Sequence, residues 1–261
     1  MKGRHRVKTR LGAYRYLSLD GFRLRWWEGG KGPTLLFLHG GGLPIDTFVE
    51  VREALGRRFH VVAPDLPGWG RSDLPRAHWV YDDFASLLQR FLLERGVTVS
   101  CLVGYSLGGG MALSLAPRLP GLQRLVLLSP GIDKTPLTRG ALVSRVITEA
   151  LLGFAHAARG DRLRVFARVV WDFTVNFVRR PYAQYRILRV IVHSLGRMPP
   201  FGLTVPTVIV SVSGDRFFRT DGARWLSERI LRSTLEVAVG IHLWVLIDHE
   251  RAAQTIIRLA Q

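Results

Sequence analysis

Ser106 stands in the run Gly104-Tyr105-Ser106-Leu107-Gly108, directly after an apolar stretch of strand length and directly before a helical pattern. A serine becomes a nucleophile only when a base can take its proton and when N–H donors await the oxyanion that its attack creates. A G-x-S-x-G run between strand and helix suits that chemistry. The sharp turn strains the serine backbone, the flanking glycines remove side chains that would clash, and the hydroxyl is left at a helix N-terminus, whose dipole favours a developing anion. Leu107, the residue after the serine, is by position one oxyanion donor. The other has to come from an earlier loop. His39-Gly40-Gly41-Gly42, after the apolar run Thr34–Leu38, offers Gly41, with Gly42 behind it.

The elements that must position these residues follow from periodicity. Tyr14–Leu19 and Phe22–Trp27 form two strands joined at Asp20-Gly21, a hairpin turn signal. Thr34–Leu38 is a continuous apolar run of strand length, and Phe59–Ala63, Val97–Val103, Leu122–Leu128, Thr207–Val212 and Thr234–Val239 read as further strands. Helical patterns fall at 46–57, Val80–Glu94, Leu107–Leu119, Gly222–Leu231 and Arg251–Leu259. This alternation predicts an α/β fold, a mostly parallel central sheet with helices on both faces. The alternation breaks at 134–200, which hold no good strand. There Arg162–Val178 predicts a helix with Phe166, Val169, Val170, Phe173 and Phe177 on one face, punctuated beyond by Pro181, Pro199 and Pro200.

Taken together these residues resemble the α/β-hydrolase superfamily, in its compact esterase and C–C-hydrolase branch. Asp65-Leu66-Pro67-Gly68-Trp69-Gly70-Arg71-Ser72 resembles the D-x-x-G-x-G-x-S loop typical after the next strand. Val205-Pro206-Thr207-Val208-Ile209-Val210 resembles the strand before the catalytic acid, and Gly240-Ile241-His242 the G-x-H of the base loop. The resemblance runs from about residue 22 to about 260 and leaves 134–200 unmatched, where this family carries a variable helical lid. It implies a core of 14–133 and 201–261, a lid of 134–200, and a basic flexible tail of 1–13.

The resemblance also implies the order serine, acid, base. The acid falls on Asp215, although the family's G-x-x-D has Val212 in place of its glycine; Asp133, after Leu122–Leu128, is the alternative. The base falls on His242. His249 is the alternative, standing where a helix-starting proline often stands, with Asp248 as a plausible N-cap. His39 is expected to shape its loop rather than carry protons. Gly42, Tyr105, Phe166 and Phe173 are the residues expected to touch substrate. The remaining histidines, at 5, 60, 78, 156 and 193, are too scattered for a metal site, and the reaction needs neither metal nor cofactor. The serine argues against epoxide-hydrolase or dehalogenase chemistry, which in this superfamily resembles an aspartate at that position. Ester hydrolysis, and C–C hydrolysis or a lyase reaction with the same triad, all remain open. So does a non-catalytic binding protein on the same fold.

Composition bounds the partners. Hydrophobic residues make up 48%, enough for a sizeable core. Cys101, the single cysteine, lies in an apolar run and excludes an intramolecular disulfide. No apolar stretch follows the basic start, and no uncharged run reaches spanning length, so the cytoplasm is the expected compartment. The net charge of +17 is uneven. Residues 1–31 carry nine basic and two acidic side chains, and 134–200 carry twelve and three, whereas 32–133 are balanced. Thirty-three of the 37 basic residues are Arg, so a composition bias explains the number better than the placement. No nucleic-acid motif accompanies the charge, which makes nucleic acid an unlikely partner. A small-molecule substrate, and peripheral contact of a basic, aromatic lid with an anionic membrane, are the expected partners. Oligomeric state is not legible.

Overall fold

The computed structural model describes residues 11–76, 79–132, 138–158, 162–179, 181–182, 185, 189 and 203–261. An eight-stranded sheet has the order β1-β2-β4-β3-β5-β6-β7-β8. Its strands are β1 (Gly12–Leu19), β2 (Phe22–Gly29), β3 (Thr34–Leu38), β4 (His60–Pro64), β5 (Cys101–Tyr105), β6 (Arg124–Leu128), β7 (Thr207–Val212) and β8 (Ser233–Ala238). From β4 to β8 all neighbours are parallel; β1 and β2 pair antiparallel at one edge. The hairpin between them turns on Asp20 and Gly21, both at positive φ, as a two-residue turn matched to strand twist requires. β1 begins two residues before the expected Tyr14: Gly12 and Ala13 already pair with Gly29 and Glu28. Gly12 fits because a Cβ there would lie 2.4 Å from the Glu28 carbonyl oxygen.

The inner strands are buried on both faces, as parallel strands under two helix layers must be. On one face lie α2 (Tyr81–Glu94) and α3 (Leu107–Leu115), whose Phe84, Leu88, Met111 and Leu115 share a cluster with Leu36, Leu102 and Leu125. On the other, α1 (Val49–Leu55) and the last helix (His249–Leu259) pack Val51, Leu55, Ile256 and Leu259 against Leu35, Val61 and Val103. Several elements begin or end away from the sequence reading, two of them for a plain physical reason. β5 starts at Cys101, because the chain first turns at Gly96, with φ 59°, and Val97 still bonds back to Leu92. α3 stops at Leu115 and tightens into a 3₁₀ turn, Ala116–Arg118, where Pro117 cannot continue the α-helical ladder.

The D-x-x-G-x-G-x-S loop staples β4 to its neighbours. Buried Asp65 accepts N–H bonds from Ile45 and Arg71 and pairs with Arg25, while Ser72 donates to the Asp65 carbonyl. Gly70 is required here, since a Cβ would lie 2.1 Å from an Asp65 carboxylate oxygen.

Between β6 and β7 the described residues include α4 (Arg139–Ala157), N-capped by Thr138, and α5 (Arg162–Arg179). The periodicity of α5 is plain in the sequence. That of α4 is not, because apolar side chains occur on its outer face (Leu151, Phe154) as well as on the face that carries Val143 and Ile147. The polar side of α5 is held down: Arg168 pairs with Glu50, and Thr47 donates to Asp172 at 2.7 Å. No described helix is long and apolar enough to cross a membrane.

Candidate active site

Ser106 sits between β5 and α3 with φ 54° and ψ −122°. A non-glycine residue in that region costs about 1–3 kcal/mol and persists only where its surroundings over-determine it. The glycines at either side make this possible. A Cβ at Gly104 would lie 2.6 Å from the Gly108 carbonyl oxygen, and one at Gly108 would lie 2.3 Å from that of Leu38. The Ser106 carbonyl is held by the N–H groups of Gly109 and Gly131.

The ends of β7 and β8 bring two further residues to this serine. His242 Nε2 lies 2.9 Å from Ser106 Oγ, and His242 Nδ1 lies 2.8 Å from Asp215 Oδ2. Asp215 uses its other oxygen, Oδ1, to accept the N–H groups of Phe217 and Phe218 at 2.8 and 2.7 Å. Its carboxylate is thereby fixed, and Nδ1 must carry the proton to donate to it. Nε2 is then the acceptor facing the serine hydroxyl. Burial disfavours the charged imidazolium, but the Asp215 carboxylate and then Glu149 outweigh it, leaving the His242 pKa above its ordinary 6.5.

The His39–Gly42 loop passes beside the serine. A Cβ at Gly40 would meet Ser106 Cβ at 3.2 Å, and one at Gly41 would meet Leu107 Cδ2 at 3.2 Å. Gly41 and Leu107, the two expected oxyanion donors, are thus neighbours. His39 has both ring nitrogens engaged away from the serine: Nδ1 with the Gly40 carbonyl at 2.7 Å, and Nε2 accepting from the Leu66 N–H at 2.9 Å. Burial lowers its pKa, and it ties the loop to the end of β4.

A cavity of about 600 Å³ opens onto Ser106 and His242. Gly42, Tyr105, Phe166 and Phe173 all line it, together with Val143, Ile147 and Val169 from the two insert helices. Phe173 leans on the His39–Gly42 loop, where a Cβ on Gly42 would be 2.8 Å from its ring. Tyr105 also holds His242: its ring stacks on the imidazole with centroids 5.4 Å apart, and its hydroxyl donates to the His242 carbonyl at 2.8 Å. Trp171 lies outside this cavity and is 68% exposed.

Three residues at the site escaped the sequence reading. Phe217 also stacks on His242, centroids 5.1 Å apart, and Phe218 meets it edge-on. Two aromatic residues closely following the expected acid were the available signal. Glu149, from α4, is buried at 3% exposure and accepts the backbone N–H groups of Arg216 and His242. Its signal was a lone carboxylate within a long apolar helical stretch.

The alternatives fall elsewhere. His249 begins the last helix and its buried Nδ1 has no hydrogen-bond partner. Asp248 does not cap that helix through its side chain, as expected; its carboxylate pairs instead with Arg162 at 2.7 Å, joining α5 to the core. Asp133, with residues 1–10 and most of 180–202, lies outside the described residues. Cys101 is buried in β5, and burial pushes its thiol up to about 12.

An uncharacterized protein of Mycobacterium tuberculosis is 38% identical over 117 residues, 44% of this chain and 34% of that protein. The 2-hydroxymuconate semialdehyde hydrolase of a Pseudomonas species is 34% identical over 136 residues, 48% of this chain and 46% of that one. The chain therefore matches less than half the length of either relative. The solved esterase of Exiguobacterium antarcticum shares the fold, with a TM-score of 0.76 and 19% identity over 96% of this chain and 99% of that one. A model of the alpha/beta hydrolase family matches residues 35–255, from β3 into the last helix, and the chain belongs to that family.

Proposed function

We propose that this protein is a serine hydrolase that cleaves esters of uncharged, apolar carboxylic acids. The observation that carries this reading is the hydrogen-bonded chain Ser106–His242–Asp215 at the floor of an apolar cavity. His242 Nε2 takes the Ser106 proton as Oγ attacks the ester carbonyl, and the oxyanion is received by the N–H groups of Leu107 and Gly41. The tetrahedral intermediate expels the alcohol, which leaves with the proton from Nε2. Water, activated by the same nitrogen, then releases the acid from the acyl-serine. Asp215 stays ionised throughout and stabilises the imidazolium.

The lining favours an uncharged acyl group. Among the described residues it holds no Lys or Arg, and its only carboxylate is Glu149. A substrate bearing a carboxylate, as muconate derivatives do, would lose its hydration there without a cation to replace it. C–C hydrolysis of such acids is therefore the weaker reading. In this account α4 and α5, within the insert 134–200, act as the lid.

The test is a series of p-nitrophenyl esters from acetate to octanoate. Each methylene buried contributes about 0.8 kcal/mol, so kcat/KM should rise about four-fold per methylene until the cavity is full. A flat or falling series, or preference for a carboxylate-bearing C–C substrate, would overturn the assignment.

A second proposal concerns place rather than reaction. Leu151 and Phe154 on α4, and Trp171 and Val178 on α5, are exposed outside the cavity lining, and Arg162, Arg164 and Arg179 are exposed on α5. Apolar side chains among arginines suit a peripheral contact with anionic membranes, where each basic residue contributes about 1 kcal/mol. The protein should sediment with phosphatidylglycerol vesicles at low salt, less so at high salt, and not with phosphatidylcholine vesicles. Equal binding to both lipids, or to neither, would sink this idea.

A further inference from the structure

The inner face of α4 carries a carboxylate where packing alone would be served by an apolar side chain. Removing a carboxylate from water is unfavourable unless hydrogen bonds replace its hydration, and Glu149 receives two. Oε1 accepts the Arg216 N–H at 2.8 Å, and Oε2 accepts the His242 N–H at 3.1 Å. The first amide belongs to the residue following Asp215; the second belongs to the base itself. Four residues earlier on the same helix, Arg145 donates to the Phe217 carbonyl at 2.6 Å. Phe217 is the ring stacked on His242. One helix thus grips the acid loop, the base loop and the ring between them.

These two loops leave neighbouring strands and touch directly through the Ser213 N–H on the Ala238 carbonyl, the Gly214 N–H on the Gly240 carbonyl, the Asp215–His242 pair and the rings of Phe217 and Phe218 against His242; Glu149 adds a clamp from outside the sheet. We propose that Glu149 is a positioning residue: its carboxylate, hung from α4, fixes the Asp215 and His242 loops relative to each other, so that Ser106, His242 and Asp215 hold hydrolytic geometry only while α4 is seated. This rests on the serine-hydrolase reading. Both oxygens accept hydrogen bonds, so the ionised form is the one that fits. Burial raises the Glu149 pKa, opposed by His242 and by the two amides. The titratable groups that feel its charge are His242, Asp215 and, through a buried phenol, Tyr105; Arg145 on its own helix turns to the Phe217 carbonyl.

The test compares the full chain with Glu149→Gln and Glu149→Asp. It measures p-nitrophenyl hexanoate turnover across pH, thermal unfolding, and the His242 imidazole titration by NMR. Gln keeps the shape but turns an NH₂ donor toward one of the two amides. It should lower kcat about 10- to 100-fold with KM little changed, the scale of a small misplacement of catalytic groups, at a near-native thermal midpoint. A negative charge facing the imidazolium raises its pKa. Losing that charge should therefore lower the His242 pKa and move the acid limb of kcat/KM to lower pH. Asp, which keeps the charge on a shorter arm, should restore the His242 titration toward wild type and part of the rate. Wild-type kcat with an unmoved His242 titration in Glu149→Gln would overturn the proposal. So would a loss of activity that only tracks loss of folded protein. If the wild type turns over no ester and Ser106 takes no fluorophosphonate label, the hydrolase reading fails instead. The His242 titration then still decides whether Glu149 holds that residue.

Discussion

Ser106→Ala should reduce ester turnover by about 10⁶-fold in kcat while leaving the thermal midpoint near that of the wild type. The hydroxyl is the atom that forms the bond to the acyl carbon, so nothing in the site replaces it. Its hydrogen bond is to His242 Nε2, and His242 remains held by Asp215, Tyr105 and Phe217. The fold has little reason to notice the change. Alanine has to take the same φ of 54°, but its Cβ is already present in serine, so the strain is not increased. Kinetics with the preferred p-nitrophenyl ester, thermal unfolding, and intact-mass detection of a fluorophosphonate adduct check each part. Esterase activity retained in a folded Ser106→Ala protein would refute the acyl-serine mechanism. An inert wild type that binds esters without cleaving them would favour the non-catalytic reading of the same fold.

What could be read from the sequence was whatever local sterics and local periodicity decide. Thr34–Leu38 and Thr207–Val212 have the same limits in sequence and structure, because each is a largely apolar run that starts directly after a proline and ends two residues before a glycine. The turn at Ser106 was legible because its glycines answer clashes within a few residues, Gly104 against Gly108. β5 starts later than its pattern predicts, since Val97 and Val99 are as apolar as the strand itself and only the turn at Gly96 delays it. α4 was hidden because a helix that lines a cavity on one side and exposes Leu151 and Phe154 elsewhere has no single apolar stripe. Glu149 could not be placed at all from sequence. Its bonds reach 67 and 93 residues along the chain, to loops whose meeting is a property of the sheet order. The same holds for Asp248, where a local capping rule lost to an ion pair with Arg162 on a distant helix.

His242→Ala should cost as much as Ser106→Ala, on the order of 10⁶-fold in kcat, and the double variant should be no worse than either single one. The serine hydroxyl and the imidazole act as one nucleophile: without Nε2 at 2.9 Å to take its proton, Oγ is a poor attacking group at neutral pH. His249→Ala is the matched control. Sequence alone leaves the two histidines seven positions apart in one loop region, but their surroundings differ. His242 is buried against Tyr105 and Phe217 with both nitrogens engaged by Asp215 and Ser106. His249 begins a helix with a buried Nδ1 that has no partner, so its loss removes no hydrogen bond to Ser106 or Asp215. Its variant should keep kcat within a few-fold of wild type. Steady-state kinetics of the wild type and the four variants on one ester decide the matter. An inactive His249→Ala beside an active His242→Ala would mean that the last loop works in a different register from the one its hydrogen bonds describe.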